Sequence, residues 1–136
     1  MTSPLVQLVD IPQHGDARGQ LSVAELGGAL PFVVRRVYWI YGTQPGVSRG
    51  FHAHKQLHQL CVCVAGSVRI SLFDGRREES AVLDSSAKGL LIGSGLWREM
   101  HDFSPGCVLM VFADAEYDEA DYIRDRDQFI RHVHSS

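Results

Sequence analysis

Hydrophobic positions in this chain come in short runs, and turn-forming residues separate them. Phe32 to Tyr41 is rich in β-branched and aromatic residues. Gln59 to Val64 and Val68 to Phe73 flank Ala65-Gly66-Ser67, which predicts two strands joined by a tight turn. Phe73-Asp74-Gly75-Arg76 carries an Asp-Gly pair. That pair is favoured in hairpin loops whose central residues need positive φ. Ala81 to Leu83, Gly89 to Ile92, Leu96 to His101 and Cys107 to Ala113 continue the series. Many short strands at regular spacing predict an all-β sandwich or barrel. The tail differs. Asp118 to Val133 is charged, with Tyr122, Ile123, Phe129, Ile130 and Val133 at partly helical spacing. A short C-terminal helix capped by Asp118 is the expectation. Pro4, Pro12 and Gly15 keep any N-terminal strand brief.

With 136 residues, a single domain over 1–136 is expected. Such a length buries a core without disulfides. The formal net charge of −3 gives no general basic field for nucleic acid or membrane. An anionic ligand would need local arginines, and Arg18, Arg35, Arg36, Arg49 and Arg98 are the candidates. The three cysteines, Cys61, Cys63 and Cys107, sit in apolar runs and form no even framework. They read as buried free thiols in a reducing compartment. The N-terminus reads as no secretory leader. No apolar run approaches the ~20 residues of a spanning helix. A soluble, cytoplasmic protein is the default expectation.

The segment that carries chemistry is Arg49-Gly50-Phe51-His52-Ala53-His54-Lys55. Residues two apart on a strand share a face, so His52 and His54 point the same way. Imidazole titrates near neutrality, which suits either a metal site or acid/base work. The bland reading is a pair of structural histidines. Two imidazoles on one wall are a poor choice for an apolar core, since each needs a polar partner.

Gly46, His52, His54, Gln59 and Gly66 resemble the first signature of the cupin superfamily, a small jelly-roll barrel with an internal site. Metal-binding cupins add a glutamate four or five residues after the second histidine. Here those positions hold His58 and Gln59. Aligning Gly89 and Gly95 with the second cupin signature puts Met100 at the remaining ligand position, with His101 beside it. A catalytic zinc usually has three protein ligands, and thioether sulfur suits hard divalent ions poorly. His58 contributes only if the strand bends, and His101 points away if the strand is regular. A metal-free site is the favoured expectation.

Over nearly its whole length the chain also resembles the sugar nucleotide 3,4-ketoisomerases. The matching segments begin with Asp16-Ala17-Arg18-Gly19-Gln20-Leu21, Arg35-Arg36-Val37-Tyr38 and the histidine segment itself. Gly66-Ser67-Val68 and Trp97-Arg98-Glu99-Met100-His101-Asp102-Phe103-Ser104 follow. Tyr117-Asp118-Glu119-Ala120-Asp121-Tyr122-Ile123-Arg124 completes the series. The resemblance implies a metal-independent isomerase acting on thymidine diphosphate (TDP) 4-keto-6-deoxy-D-glucose. It would move the ketone from C4 to C3 through an enediol. It also implies a homodimer with exchanged N-terminal strands. No net oxidation occurs, so no nicotinamide cofactor is expected.

Within that reading the catalytic candidates are His52 as carbon base, His54 as shuttle between sugar oxygens, and Tyr38 as a hydrogen-bonding partner of a sugar oxygen. The order of the histidines is open, and Tyr38 could equally be a core residue. Arg18 and Arg49 are candidates for the diphosphate, which guanidinium groups grip bidentately. Gln59 and Trp97 are the remaining substrate-binding candidates, Trp97 with a core role equally open. The rival readings are a nucleotide-sugar epimerase, a cupin that binds a nucleotide sugar without turnover, and a metal-dependent cupin enzyme.

Overall fold

Period-two alternation of apolar side chains organises the computed structural model, which describes residues 4–135. In chain order the strands are β1 (Gln7–Asp10), β2 (Gln13–Asp16), β3 (Gly19–Ser22), β4 (Arg36–Ile40), β5 (Arg49–His54) and β6 (Gln59–Ala65). They continue as β7 (Val68–Phe73), β8 (Glu78–Leu83), β9 (Lys88–Ile92), β10 (Trp97–His101), β11 (Val108–Ala113) and β12 (Tyr122–Ile123). One helix, α1 (Arg126–His134), follows. Two five-stranded antiparallel sheets, β1-β9-β6-β11-β4 and β12-β5-β10-β7-β8, form the jelly roll, and β2-β3 stands apart as a two-stranded ribbon.

The core lies between the sheets. Ile70 and Leu72 of β7, Leu90 and Ile92 of β9, and Leu109 and Val111 of β11 are fully buried there. Each such side chain contributes roughly 1.5–3 kcal/mol on leaving water. The first half of β6 is buried throughout. Its outer face is covered by the chain around Ala24–Val34, where Ala29 and Leu30 pack against Leu60 and Val62. This covering explains why the expected strand from Phe32 shortens to begin at Arg36: Phe32 and Val34 pack onto that outer cluster instead of joining the ladder.

The expected C-terminal helix also shortens. Asp118 caps a single 3-10 turn over Glu119–Asp121, not a long helix. Tyr122 and Ile123 then pair with His54 and Ala53 of β5. That long-range pairing wins over helical propensity. The helix begins only after Asp125, whose side chain accepts from the backbone N–H of Gln128 at 2.9 Å. Its Phe129 seals Ala53, Trp97 and Ile123 beneath it. The three cysteines are free and buried, with the sulfurs of Cys63 and Cys107 3.7 Å apart.

Candidate active site

The site begins with a deliberate irregularity in β5. Gly50 has φ +92°, and a Cβ there would lie 3.0 Å from the Arg98 carbonyl oxygen. Only glycine fits such an approach without displacement. Phe51 follows with φ 56°, a conformation costly for a bulky residue. The pairing with β10 shifts register beside it, between Arg98 and Glu99. A bulge of this kind re-aims the strand. Past it, the rings of His52 and His54 lie 4.9 Å apart, edge to face. The Tyr122 ring from β12 packs against both, at 5.0 Å and 4.3 Å.

Hydrogen bonds fix the state of each imidazole. His52 Nδ1 lies 3.0 Å from the Gly50 carbonyl oxygen. His54 Nδ1 lies 3.2 Å from Asp121 Oδ2. A carbonyl and a carboxylate only accept, so both Nδ1 atoms carry the proton. Both Nε2 atoms therefore present bare lone pairs. His54 Nε2 is buried without a partner. Burial, followed by the charge of Arg98, pushes His52 down to about 4 and His54 down to about 3. Both rings are neutral at pH 7, as a base must be.

Arg98 enters from β10 and is 1% exposed. It donates to Gln59 Oε1 and, at 3.1 Å, to the Leu96 carbonyl. Gln59 in turn donates to Tyr38 Oη at 3.0 Å. Burial, then the nearby Cys61, pushes the Tyr38 phenol up to about 12. It stays protonated and able to donate. Above these residues opens a cavity of about 450 Å³, lined among others by Arg36, Tyr38, Arg49, His52, Met100 and Arg124. Three arginines rim it in a chain of net charge −3; Arg124 is paired with Glu119 at 2.7 Å, so Arg36 and Arg49 supply most of the positive potential there.

The sequence candidates divide. His52, Tyr38 and Arg49 line this cavity, and His54 lies against His52. Gln59 is behind Tyr38, with its amide engaged by Tyr38 and Arg98. Trp97, for which a core role was equally open, is not among the residues that line the cavity. Alternation on β10 sends Arg98 and Met100 inward and Trp97 outward, where it packs 5.9 Å from Phe129 of α1 and donates to Glu99 at 2.9 Å. His101 faces outward too, between Ser48 at 2.7 Å and Glu99 at 3.0 Å. His58 is exposed and bonded to Asp114. Arg18 sits on the β2-β3 ribbon, 90% exposed and paired with Asp16, and lines no part of the histidine cavity. Asp121, Tyr122 and Arg124 were not singled out from the sequence. The motif segment Tyr117–Arg124 held them, but a helical reading of that segment hid their return to β5.

The family described as FdtA: WxcM-like, C-terminal matches residues 5–134. The chain belongs to this family. Among curated proteins it is similar to TDP-4-oxo-6-deoxy-α-D-glucose-3,4-oxoisomerase of Aneurinibacillus thermoaerophilus. The two are 48% identical over 118 residues, covering 87% of this chain and 85% of that one. Among solved structures it is similar to the sugar 3,4-ketoisomerase QdtA of Thermoanaerobacterium thermosaccharolyticum in complex with TDP. There the identity is 40%, the TM-score 0.93 and the coverage 96% of both chains. A histidine-to-asparagine variant of QdtA is solved in complex with TDP-4-keto-6-deoxyglucose, with 39% identity, TM-score 0.94 and coverage of 98% and 97%. The rmlC epimerase of Mycobacterium tuberculosis, 22% identical with TM-score 0.76 over 90% of this chain and 69% of that one, shares the fold. The FdtA-type chain is thus an RmlC-like cupin jelly roll.

Proposed function

We infer that this chain is a sugar nucleotide 3,4-ketoisomerase that converts TDP-4-keto-6-deoxyglucose into the 3-keto isomer. The observation that carries the chemistry is the histidine pair. Two neutral imidazoles, 4.9 Å apart, hold their protons on Nδ1 and leave both Nε2 atoms bare. The C4 carbonyl acidifies the C3–H bond. One Nε2 removes that proton, leaving an enediolate whose charge rests on the C4 oxygen. Reprotonation at C4, with the hydroxyl proton passing from the C3 oxygen, completes the shift. A positioned acid/base of this kind contributes about 10²–10⁴-fold.

The geometry supports the order assigned from sequence. His52, half-buried on the cavity wall, is the imidazole that a bound sugar meets, and a base must lie within reach of the proton it removes. We assign it to the carbon. His54, 1% exposed and packed against His52, is assigned to the protons that move between the sugar oxygens. The protonated Tyr38 donates to a sugar oxygen, and Gln59 holds it in place instead of binding substrate directly. Arg98 adds positive charge close to the developing enediolate, where low dielectric strengthens it. The same guanidinium opposes a divalent cation at the two imidazoles, so the chemistry is assigned to the side chains alone.

Arg49, with Arg36 and Arg124 beside it, is assigned to the diphosphate. Arg18 belongs to a different surface of the same protomer. Every residue of β2 and β3 is exposed, Leu21 by 57%. An isolated two-stranded ribbon is marginal in water. We therefore propose that the ribbon docks on a second copy of the chain, as the exchanged N-terminal strands of a homodimer would. Arg18 would then serve the neighbouring site. The whole chain acts as one catalytic domain in this reading. Among the described residues no helix is long and apolar enough to cross a membrane, and free thiols support the proposed cytoplasmic location.

Paired variants test the roles. His52→Asn and His54→Asn should fold, bind TDP and lose most turnover. His52→Asn should also stop deuterium exchange at C3, whereas His54→Asn should leave slow exchange. Exchange lost only in His54→Asn would reverse the order. Unchanged turnover in both would remove the histidines from the chemistry.

A further inference from the structure

We propose that Asp121 is a positioning residue for the ketoisomerisation: its carboxylate locks the His54 proton on Nδ1 and compensates the charge that His54 gains when its Nε2 takes a proton. The proposal rests on the reading of His54 as an acid/base group and adds a residue on which that group depends.

The carboxylate is itself held from three sides. Oδ1 accepts from the backbone N–H of Gln56 at 2.9 Å. Oδ2 accepts from Leu57 N–H at 3.3 Å and from His54 Nδ1 at 3.2 Å. The backbone carbonyl of Asp121 accepts from Lys55 N–H at 2.9 Å. The three residues that follow His54 in the chain thus clamp the group that orients it. The 3-10 turn that carries Asp121 is capped by Asp118, which accepts from Ala120 N–H at 3.1 Å. A 16% exposed side chain with this many donors has little freedom to leave.

The two imidazoles differ in this respect. His52 is backed by a neutral carbonyl of its own strand, His54 by a carboxylate from 67 residues away. The surroundings of His54 are otherwise cationic, with Arg98, Arg36 and Arg124 all opposing its protonation. A transient imidazolium there needs an anion in contact, and Asp121 supplies it. Without the carboxylate the ring is also free to place its proton on Nε2, the form that leaves Nε2 no lone pair to accept a proton. Loss of tautomer control costs far more activity than geometry alone suggests.

The competing role is mechanical: Asp121 ties the turn at 55–57 to β12 and does nothing to the ring. Asp121→Asn separates the two, because asparagine keeps the shape and an acceptor but no charge. The expected result is a folded protein that binds TDP within about 3-fold of the unmodified chain, with KM little changed. Its kcat should fall at least ~100-fold. In ¹⁵N-histidine spectra, His54 should show Nδ1 protonated in the unmodified protein and lose that fixed state in the variant. A kcat within about 3-fold of the unmodified value, or an unchanged His54 tautomer in the variant, overturns the proposal. If the variant does not fold, the unmodified spectrum decides, since a His54 protonated on Nε2 overturns it and one protonated on Nδ1 supports it. His54→Asn run alongside keeps the two layers apart. Full turnover in that variant removes the acid/base reading itself, whatever the tautomer measurement gives.

Discussion

Acidification should unfold this protein through its histidine pair. The unfolded chain takes up a proton at each position as pH falls through the usual histidine value of 6.5. The folded chain resists until about 4 at His52 and about 3 at His54. Between those values the unfolded state binds more protons, so stability is fully present above pH 6.5 and is lost as pH falls. Integrating from pH 7 to pH 4.5 gives a loss of about 2.5 kcal/mol per histidine, roughly 5 kcal/mol together. A domain of this size has only about 5–15 kcal/mol in all. Urea unfolding followed by tryptophan fluorescence at several pH values between 7 and 4.5 measures the loss. The reference is the His52→Asn/His54→Asn double variant, in which all other histidines and carboxylates are retained. Its stability should fall much less over the same range. Parallel pH profiles for the two proteins would refute the claim that this pair is held neutral by burial and Arg98.

Three further outcomes follow from the placements. Arg49→Ala should weaken TDP binding by roughly 1.5–3 kcal/mol in calorimetry, while Arg131→Ala on the exposed face of α1 should leave it unchanged; equal binding removes Arg49 from the diphosphate site. Trp97→Phe should lower the melting temperature, because it breaks the bond to Glu99 beneath α1, yet leave KM for the sugar nucleotide unaltered; a raised KM would return Trp97 to the site. Leu21→Asp on the exposed ribbon should convert a dimer to monomer in light scattering, and a dimeric variant would remove the ribbon from the interface.

The sequence revealed most where period and punctuation agree. Val68–Phe73 and the Asp74-Gly75 turn are legible because alternation and positive-φ residues mark one local solution. His52 and His54 are legible as a pair for the same reason. Trp97 stayed open between site and core because both faces of β10 are buried: Met100 packs inward and Trp97 packs under α1. Hydrophobicity then cannot tell inside from outside, and register is decided by the bulge at Arg98. Asp121 was invisible for a different reason. Its role depends on β12 pairing with β5, a contact between distant segments that charge and periodicity near residue 121 do not encode. The Asp118 cap signal was real, but it serves a single turn.

In the proposed reaction these side chains alone move the ketone. Purified, chelator-treated protein incubated with TDP-4-keto-6-deoxyglucose in deuterated buffer, followed by proton NMR, tests it in one measurement. Accumulation of the 3-keto isomer without added metal is expected, with deuterium entering at C3 of the substrate and C4 of the product. No isomer, or an isomer that appears only when a divalent metal is restored, would contradict it.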